Sequence, residues 1–300
     1  MKLIIISGRS GSGKSTAVQV LEDIGFYCID NLPAALLPET INYLHSLKNE
    51  SFSIAGSHDT AGIQDKIALC IDARNPAKHL EQLPKIIANL KADKQQFEID
   101  FIYLDASDEI LIQRYSATRR RHPMESMAKG LQSAIEYENS VLAPIADLAS
   151  LRIDTTHLSL YELRDVIKYR VAERTEQNIS LQFISFGFKH GLPLDSDIVY
   201  DLRILPNPYW LPELRSFNGR QAPVIKFLSE QPLVNKMIAD ITNYLEKWLP
   251  EFKQNNRSYV TIGLGCTGGQ HRSVFIAEQL TRHFLPLMDN VSVYHREIKS

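Results

Sequence analysis

Residues 8–15 read Gly8-Arg9-Ser10-Gly11-Ser12-Gly13-Lys14-Ser15, an uninterrupted G-x-x-x-x-G-K-S phosphate loop. The apolar run Leu3-Ile4-Ile5-Ile6 precedes it, and the helical pattern Ala17, Val18, Val20, Leu21, Ile24 follows it. Strand, glycine turn and helix in that order commit the first part of the chain to an α/β fold. The glycines let consecutive N–H groups point into one anion-sized hollow, and the following helix aims its positive end there. Lys14 then reaches the β- and γ-phosphates of a nucleoside triphosphate, and Ser15 offers its hydroxyl to Mg2+. A chance lysine in a flexible Gly/Ser turn would lack the flanking strand and helix.

Strands and helices alternate beyond the loop. Strands are expected at 26–29, 67–71, 99–104 and 151–153, with helices near 36–47, 76–90, 108–116, 131–141 and 160–171. Residues 49–65 read as an extended polar surface loop. Such an order demands a mostly parallel sheet with helices on both faces, whose ligands collect at the carboxyl ends of the strands. Asp72 follows Ile67–Ile71 and is the favoured carboxylate for holding Mg2+ through water; Asp105, after Phe101–Leu104, is its rival. Either could equally be a helix cap. Asp30, closing the second strand, is a general base or simply part of the turn Asn31-Leu32-Pro33. Arg114 and the run Arg119-Arg120-Arg121 stand where a lid would stabilise a transferring phosphoryl group, or form a solvated basic helix end.

Three hundred residues suit two domains, with a polar boundary at Glu173-Arg174-Thr175-Glu176-Gln177-Asn178. We therefore expect a nucleotide-binding domain over 1–172 and a second α/β domain over 173–300. A formal net charge of −2 gives no global attraction for nucleic acid or an anionic membrane, so such a partner needs a local patch. The three cysteines are dispersed, which argues against a disulfide framework or a zinc site. No run reaches the roughly 18 apolar residues of a membrane helix. The expected location is cytoplasmic.

The second half restarts the α/β pattern, with strands at 181–186, 198–205 and 259–264 and helices near 224–228, 233–249 and 274–284. Its last strand runs into Gly265-Cys266-Thr267-Gly268-Gly269-Gln270-His271-Arg272-Ser273. This is a second strand, glycine loop and helix. Cys266 and Arg272 stand in the C-x5-R relation of cysteine-dependent phosphatases, where a thiolate attacks phosphorus and arginine clamps its oxygens. Gly265 occupies the place where those enzymes usually keep a histidine, so binding of a phosphomonoester is favoured over cleavage. A tight turn with a buried, inert cysteine is the third reading. His190, on another glycine turn, could join the same pocket.

Taken together, Gly8–Ser15, Gly25–Pro33, Ser185–Gly191, Leu205–Pro208 and Gly265–Ser273 strongly resemble the RapZ family of bacterial nucleotide-binding proteins, also called RNase adaptor proteins. The resemblance runs end to end. It implies ATP and GTP binding and hydrolysis by the phosphate-loop domain. It also implies a C-terminal domain that binds glucosamine-6-phosphate and small regulatory RNA, a homotetramer, and delivery of the RNA to ribonuclease E. Gly8 to Ser15 match the family's ATP site, and Asp72-Ala73-Arg74-Asn75 its guanine-nucleotide segment. His190 with Cys266 to Ser273 match the sugar-phosphate and RNA region. Two departures stand out: residues 49–65 read as an insertion, and Tyr294–Ser300 lacks the strongly basic tail of enterobacterial members. A small-molecule P-loop kinase, centred on Lys14 and Asp30, is the alternative function.

Overall fold

The computed structural model describes residues 2–53, 66–92, 98–172, 179–255 and 257–298. The chain divides into two compact units, Met1–Ala172 and Glu173–Ser300. In the first, β1 (Lys2–Gly8), β2 (Tyr27–Ile29), β3 (Lys66–Cys70), β4 (Glu98–Asp105) and β5 (Leu151–Asp154) form a parallel sheet in the order β2-β3-β1-β4-β5. Every residue of β1 is buried. Its unbroken apolar run is the signature of a strand covered on both faces. The helices α1 (Lys14–Asp23), α2 (Leu37–Ser53), α3 (Ala77–Leu80), α4 (Leu83–Ala92), α5 (Asp108–Thr118), α6 (Leu131–Ala146) and α7 (Leu160–Val166) complete the unit. Leu3, Ile5, Ile41, Leu69, Phe101 and Leu142 belong to its main core.

The second unit is a four-stranded parallel sheet in the order β7-β8-β6-β9, built from β6 (Ser180–Gly187), β7 (Ile198–Asp201), β8 (Tyr259–Cys266) and β9 (Val291–His295). Its helices are α8 (Ala222–Ser229), α9 (Pro232–Gln254) and α10 (Arg272–Phe284). The central strands β6 and β8 are buried throughout, and Phe183, Ile262, Ile276 and Phe284 lie in the core they share.

Several sequence expectations change. The helix expected over 76–90 is two helices, because Pro84 cannot donate an N–H into a continuous turn yet is tolerated in the first turn of α4. The strand expected over 198–205 stops at Asp201, whose carboxylate accepts from the Arg203 N–H at 2.9 Å and turns the chain. Residues 49–53, expected in a loop, continue α2; positions 54–65 lie outside the described residues. Strand β9 was not expected at all.

That edge strand is held by a relay of side chains. Ser185 Oγ lies 2.8 Å from His295 Nδ1, His295 Nε2 lies 3.2 Å from Glu278 Oε1, and Arg220 Nε lies 3.2 Å from the same oxygen. A neutral ring satisfies both ends, with Ser185 donating to Nδ1 and Nε2–H donating to Glu278. Burial pushes the His295 pKa below its ordinary value, against the opposing pull of Glu278. The unfolded chain therefore binds this proton more readily than the folded one. The contribution is present above the unfolded pKa of about 6.5 and is lost as pH falls through that value towards the lower folded one. His295→Gln should flatten the decline of the unfolding midpoint below about pH 6.5. An unchanged decline would place the acid sensitivity elsewhere.

Candidate functional site

The phosphate loop joins the central strand β1 to α1. Gly13 caps α1 without a side-chain acceptor, so the first-turn N–H groups remain available to an anion. Lys14 Nζ donates to the carbonyls of Gly8 at 2.7 Å and Arg9 at 3.0 Å. The ammonium thus lies folded over the loop it would leave to meet phosphate, and Ser15 is exposed beside it.

The first side chains of the loop serve as anchors. Arg9 is buried and donates to Asp108 Oδ1 at 2.6 Å, Ala106 O at 3.3 Å and Ile135 O at 3.4 Å, with Asp105 Oδ1 3.6 Å away. Ser10 donates both its N–H (3.0 Å) and its hydroxyl (2.7 Å) to the Glu138 carboxylate on α6. Glu138 is wholly buried, and His122 Nε2 approaches its other oxygen at 3.2 Å. Burial works against the Glu138 charge, but hydrogen bonds from His122 and Ser10 and the nearby Lys14 ammonium hold its pKa below the usual carboxylate range.

The arginines expected in a lid separate. Arg114 donates to Gly11 O at 3.0 Å and to Thr155 Oγ1 and O at 3.0 and 2.6 Å, tying the phosphate loop to the end of β5. Arg119 ends α5 in a left-handed conformation, and Arg119, Arg120 and Arg121 are all exposed.

The carboxylates also divide. Asp105 accepts the Ala106 N–H and faces Arg9. Asp72 is buried and accepts from Arg74 N, Nε and an NH2 group. Asn75 turns inward: its Oδ1 accepts from Ala34 N at 2.6 Å and its Nδ2 donates to Leu32 O and Asp72 O. The segment Asp72–Asn75 is therefore braced against the turn after β2, and Arg74 is its exposed arm, with half of its side chain in solvent. Asp30 is exposed. Asp30, Asp72 and Lys14 all act on the Cys70 thiol, whose pKa burial above all pushes up to about 12. Two carboxylates at this point are donors of the kind Mg2+ takes, a hard cation that keeps several waters and takes phosphate oxygens. Ser15, with Asp30 or Asp72 through water, would hold it.

In the second unit the ends of β6 and β8 meet. Lys189 N donates to Thr267 O at 3.3 Å, and the Lys189 side chain runs beside Gly268. Cys266 is buried; its Sγ accepts from Gly269 N at 3.2 Å and lies 3.2 Å from Ser273 Oγ. Arg272 is also buried and donates to the carbonyls of Arg203 and Leu205, each at 2.9 Å, and to Thr267 Oγ1 at 3.3 Å. Burial lowers its pKa, while the Cys266 sulfur nearby opposes that. Its guanidinium therefore holds the turn after β7 against the loop. His271 and Ser273 are buried, whereas Thr267 and Gln270 are exposed and Gly268 is half-buried. His190 is exposed on the neighbouring turn, its pKa lowered by desolvation and by Lys189 and Arg296. The phosphatase histidine position is sterically closed: a Cβ on Gly265 would lie 2.5 Å from the rings of both Phe186 and Phe188.

The comparisons agree across the whole length. Residues 1–175 match the RapZ-like N-terminal domain and residues 179–299 the RapZ C-terminal domain. The chain belongs to the RapZ family. It is 51% identical over 298 residues to a nucleotide-binding protein of Ectopseudomonas mendocina strain ymp, covering 99% of this chain and 100% of that protein. A nucleotide-binding protein of Marinobacter nauticus is 51% identical over 298 residues, covering 99% and 97%. Among solved structures, shikimate kinase from Acinetobacter baumannii aligns at 18% identity and TM-score 0.34, over 57% of this chain and 92% of that one. Deoxyadenosine kinase from M. mycoides aligns at 14% identity and TM-score 0.32, over 58% and 100%. The first unit of this RapZ-family chain is a parallel α/β unit that carries the phosphate loop Gly8–Ser15.

Sequence reasoning passed over Glu138, His122 and Lys189. The signal for Glu138 was an acid at a core-facing helix position, three residues after Ile135 and four before Leu142. Lys189 lies inside the Ser185–Gly191 segment that carries the family resemblance. Among the described residues no group of three or more His, Cys, Asp or Glu side chains is arranged to hold a metal ion. Glu138→Ala in this RapZ-family protein would leave His122 and Ser10 buried without their acceptor. Breaking such a pair from one side costs about 3–5 kcal/mol. Denaturant unfolding should show that loss together with weakened nucleotide binding; a loss below about 1 kcal/mol would show that water replaces the carboxylate.

Proposed function

We propose that this RapZ-family protein is a cytoplasmic metabolite-responsive regulator. Its first unit, 1–172, binds ATP or GTP with Mg2+ and hydrolyses it slowly. Its second, 173–300, senses glucosamine-6-phosphate and binds small regulatory RNA, which a homotetramer presents to ribonuclease E. The observation that carries this reading is the presence of two separate anion loops, each at the carboxyl end of a buried central strand. Lys14 serves the first, and Lys189, His190 and Thr267 surround the second. That no helix among the described residues is long and apolar enough to cross a membrane agrees with it. The exposed Arg74 arm of the Asp72–Asn75 segment supports a guanine nucleotide contact at that edge.

The roles within the loops follow from their surroundings. Lys14 and the free N–H groups at the start of α1 bind and neutralise phosphate, while Arg9 and Glu138 keep the loop from collapsing. Mg2+, when bound, withdraws charge from the phosphate oxygens. In the second unit Arg272 sets the loop's shape, and Lys189 and Thr267 meet the ligand. RNA binding rests on phosphate neutralisation, which at this loop falls to Lys189.

Ligand at about one hundred times its dissociation constant stabilises a protein by roughly 2.7 kcal/mol, so thermal unfolding reads both sites. ATP with Mg2+ should raise one unfolding transition and glucosamine-6-phosphate another. Lys14→Ala should remove the first shift and Lys189→Ala weaken the second about tenfold, the value of one charge-assisted hydrogen bond. ADP formation that requires an added acceptor would instead identify a small-molecule kinase. No shift with any sugar phosphate would remove the sensing role.

A further inference from the structure

The course of β9 decides what lies over the second anion loop. It pairs in parallel with β6, from Leu181 opposite Val291 to Ser185 opposite His295. The ladder continues one step further, with Arg296 N donating to Ser185 O at 3.1 Å. A chain running parallel to β6 must emerge at the carboxyl end of that strand, where the two glycine loops meet. There Glu297 Oε2 accepts from Gly187 N at 3.1 Å. The same oxygen fills the space in which Gly269, with φ of 72°, would carry a Cβ. The Glu297 side chain is only 10% exposed. Arg296 beside it donates to His190 O and Gly191 O, each at 3.0 Å, and its Nε lies 3.8 Å from the Glu297 carboxylate. Lys189 also acts on this carboxylate, and burial raises its pKa.

A carboxylate with a desolvation cost is thus held by a loop amide and two cations, on the loops that would take a phosphate. The geometry has the form of an anion site filled by a residue of the same chain. We propose that Glu297 is an internal ligand of the second-unit anion site, and that a phosphorylated ligand must displace it, releasing the chain end from Arg296 onward. This rests on the reading of that site as a phosphate site, and adds its regulation. Displacement makes ligand binding and tail release one equilibrium. Ligand binding and tail closure then oppose each other by the same factor, and the apparent affinity is the intrinsic one multiplied by the fraction of sites in which the tail is open. The segment from Arg296 onward thereby has a state that reports ligand occupancy to whatever partner reads that surface.

A purely structural Glu297 predicts the opposite response to mutation. Removing a pin loosens the loops and weakens ligand binding, whereas removing a competitor strengthens it. Titration calorimetry on the full-length protein with glucosamine-6-phosphate, and separately with inorganic phosphate, distinguishes them. Glu297→Ala should bind about 5- to 150-fold more tightly than the unaltered chain, the usual span of such couplings. Glu297→Gln keeps an acceptor for the Gly187 N–H without the charge. It should also gain affinity, and carries the test if the alanine variant does not fold. On the unaltered chain, carboxypeptidase trimming past Glu297, followed by mass, should accelerate when glucosamine-6-phosphate is added. Equal or weaker binding by both variants, or ligand-independent trimming, would overturn the displacement while leaving the sugar-phosphate reading intact. No binding of either phosphate by any of the three chains would remove that reading, and the displacement with it.

Discussion

Burial of a parallel strand on both faces leaves it nowhere to place chemistry except at its ends. In this protein β1, β6 and β8 are each enclosed along their whole length. Most of their interior residues are apolar. The functional groups therefore gather where the strands stop and their backbone N–H groups turn towards solvent, at the carboxyl edge. Both anion loops are consequences of this one constraint. So is the position of Glu297, delivered to the edge by a strand that runs in the same direction as its neighbour.

An anion loop needs counter-charge from below to keep its shape. The first unit supplies it with Arg9 against Asp105 and Asp108, and with Glu138 against Ser10 and His122. A buried carboxylate costs several kcal/mol unless its hydrogen bonds are satisfied, and Glu138 has partners on both oxygens. Rigid anchoring on one side of the loop leaves Lys14 and the start of α1 as the responsive side. The second unit uses Arg272 in the same sense, aimed at two carbonyls of the chain rather than outward.

Much of this was legible in the residues. The Gly8–Ser15 loop and the β/α alternation each carry a local pattern with one physical interpretation, whereas the Cys266–Ser273 loop left phosphate cleavage, phosphate binding and a tight turn open. Element ends were less so. Pro84 breaks a helix that periodicity continues, and Asp201 ends a strand through a side-chain contact that no apolar pattern records. Strand β9 escaped notice because Val291-Ser292-Val293-Tyr294-His295 is short and partly exposed, and its pairing with β6 is a long-range event. Arg272 resembled a phosphate clamp in sequence, yet its donors reach chain carbonyls far away along the chain.

By itself, the sequence determined that this protein would carry a phosphate loop between a buried strand and a helix. It also determined that a second glycine loop would open another helix, and that the chain would be of the RapZ kind. Those are local features, written in consecutive residues, and their physics is the reach of neighbouring backbone groups. Tertiary structure alone decided which charged side chains face a ligand and which are consumed in the scaffold. It placed Glu138 under the first loop, closed the space beside Gly265 with two aromatic rings, and brought Lys189 and Glu297 to the second loop. Such choices depend on strand order and register, which bring together residues more than seventy positions apart, and no local pattern encodes them.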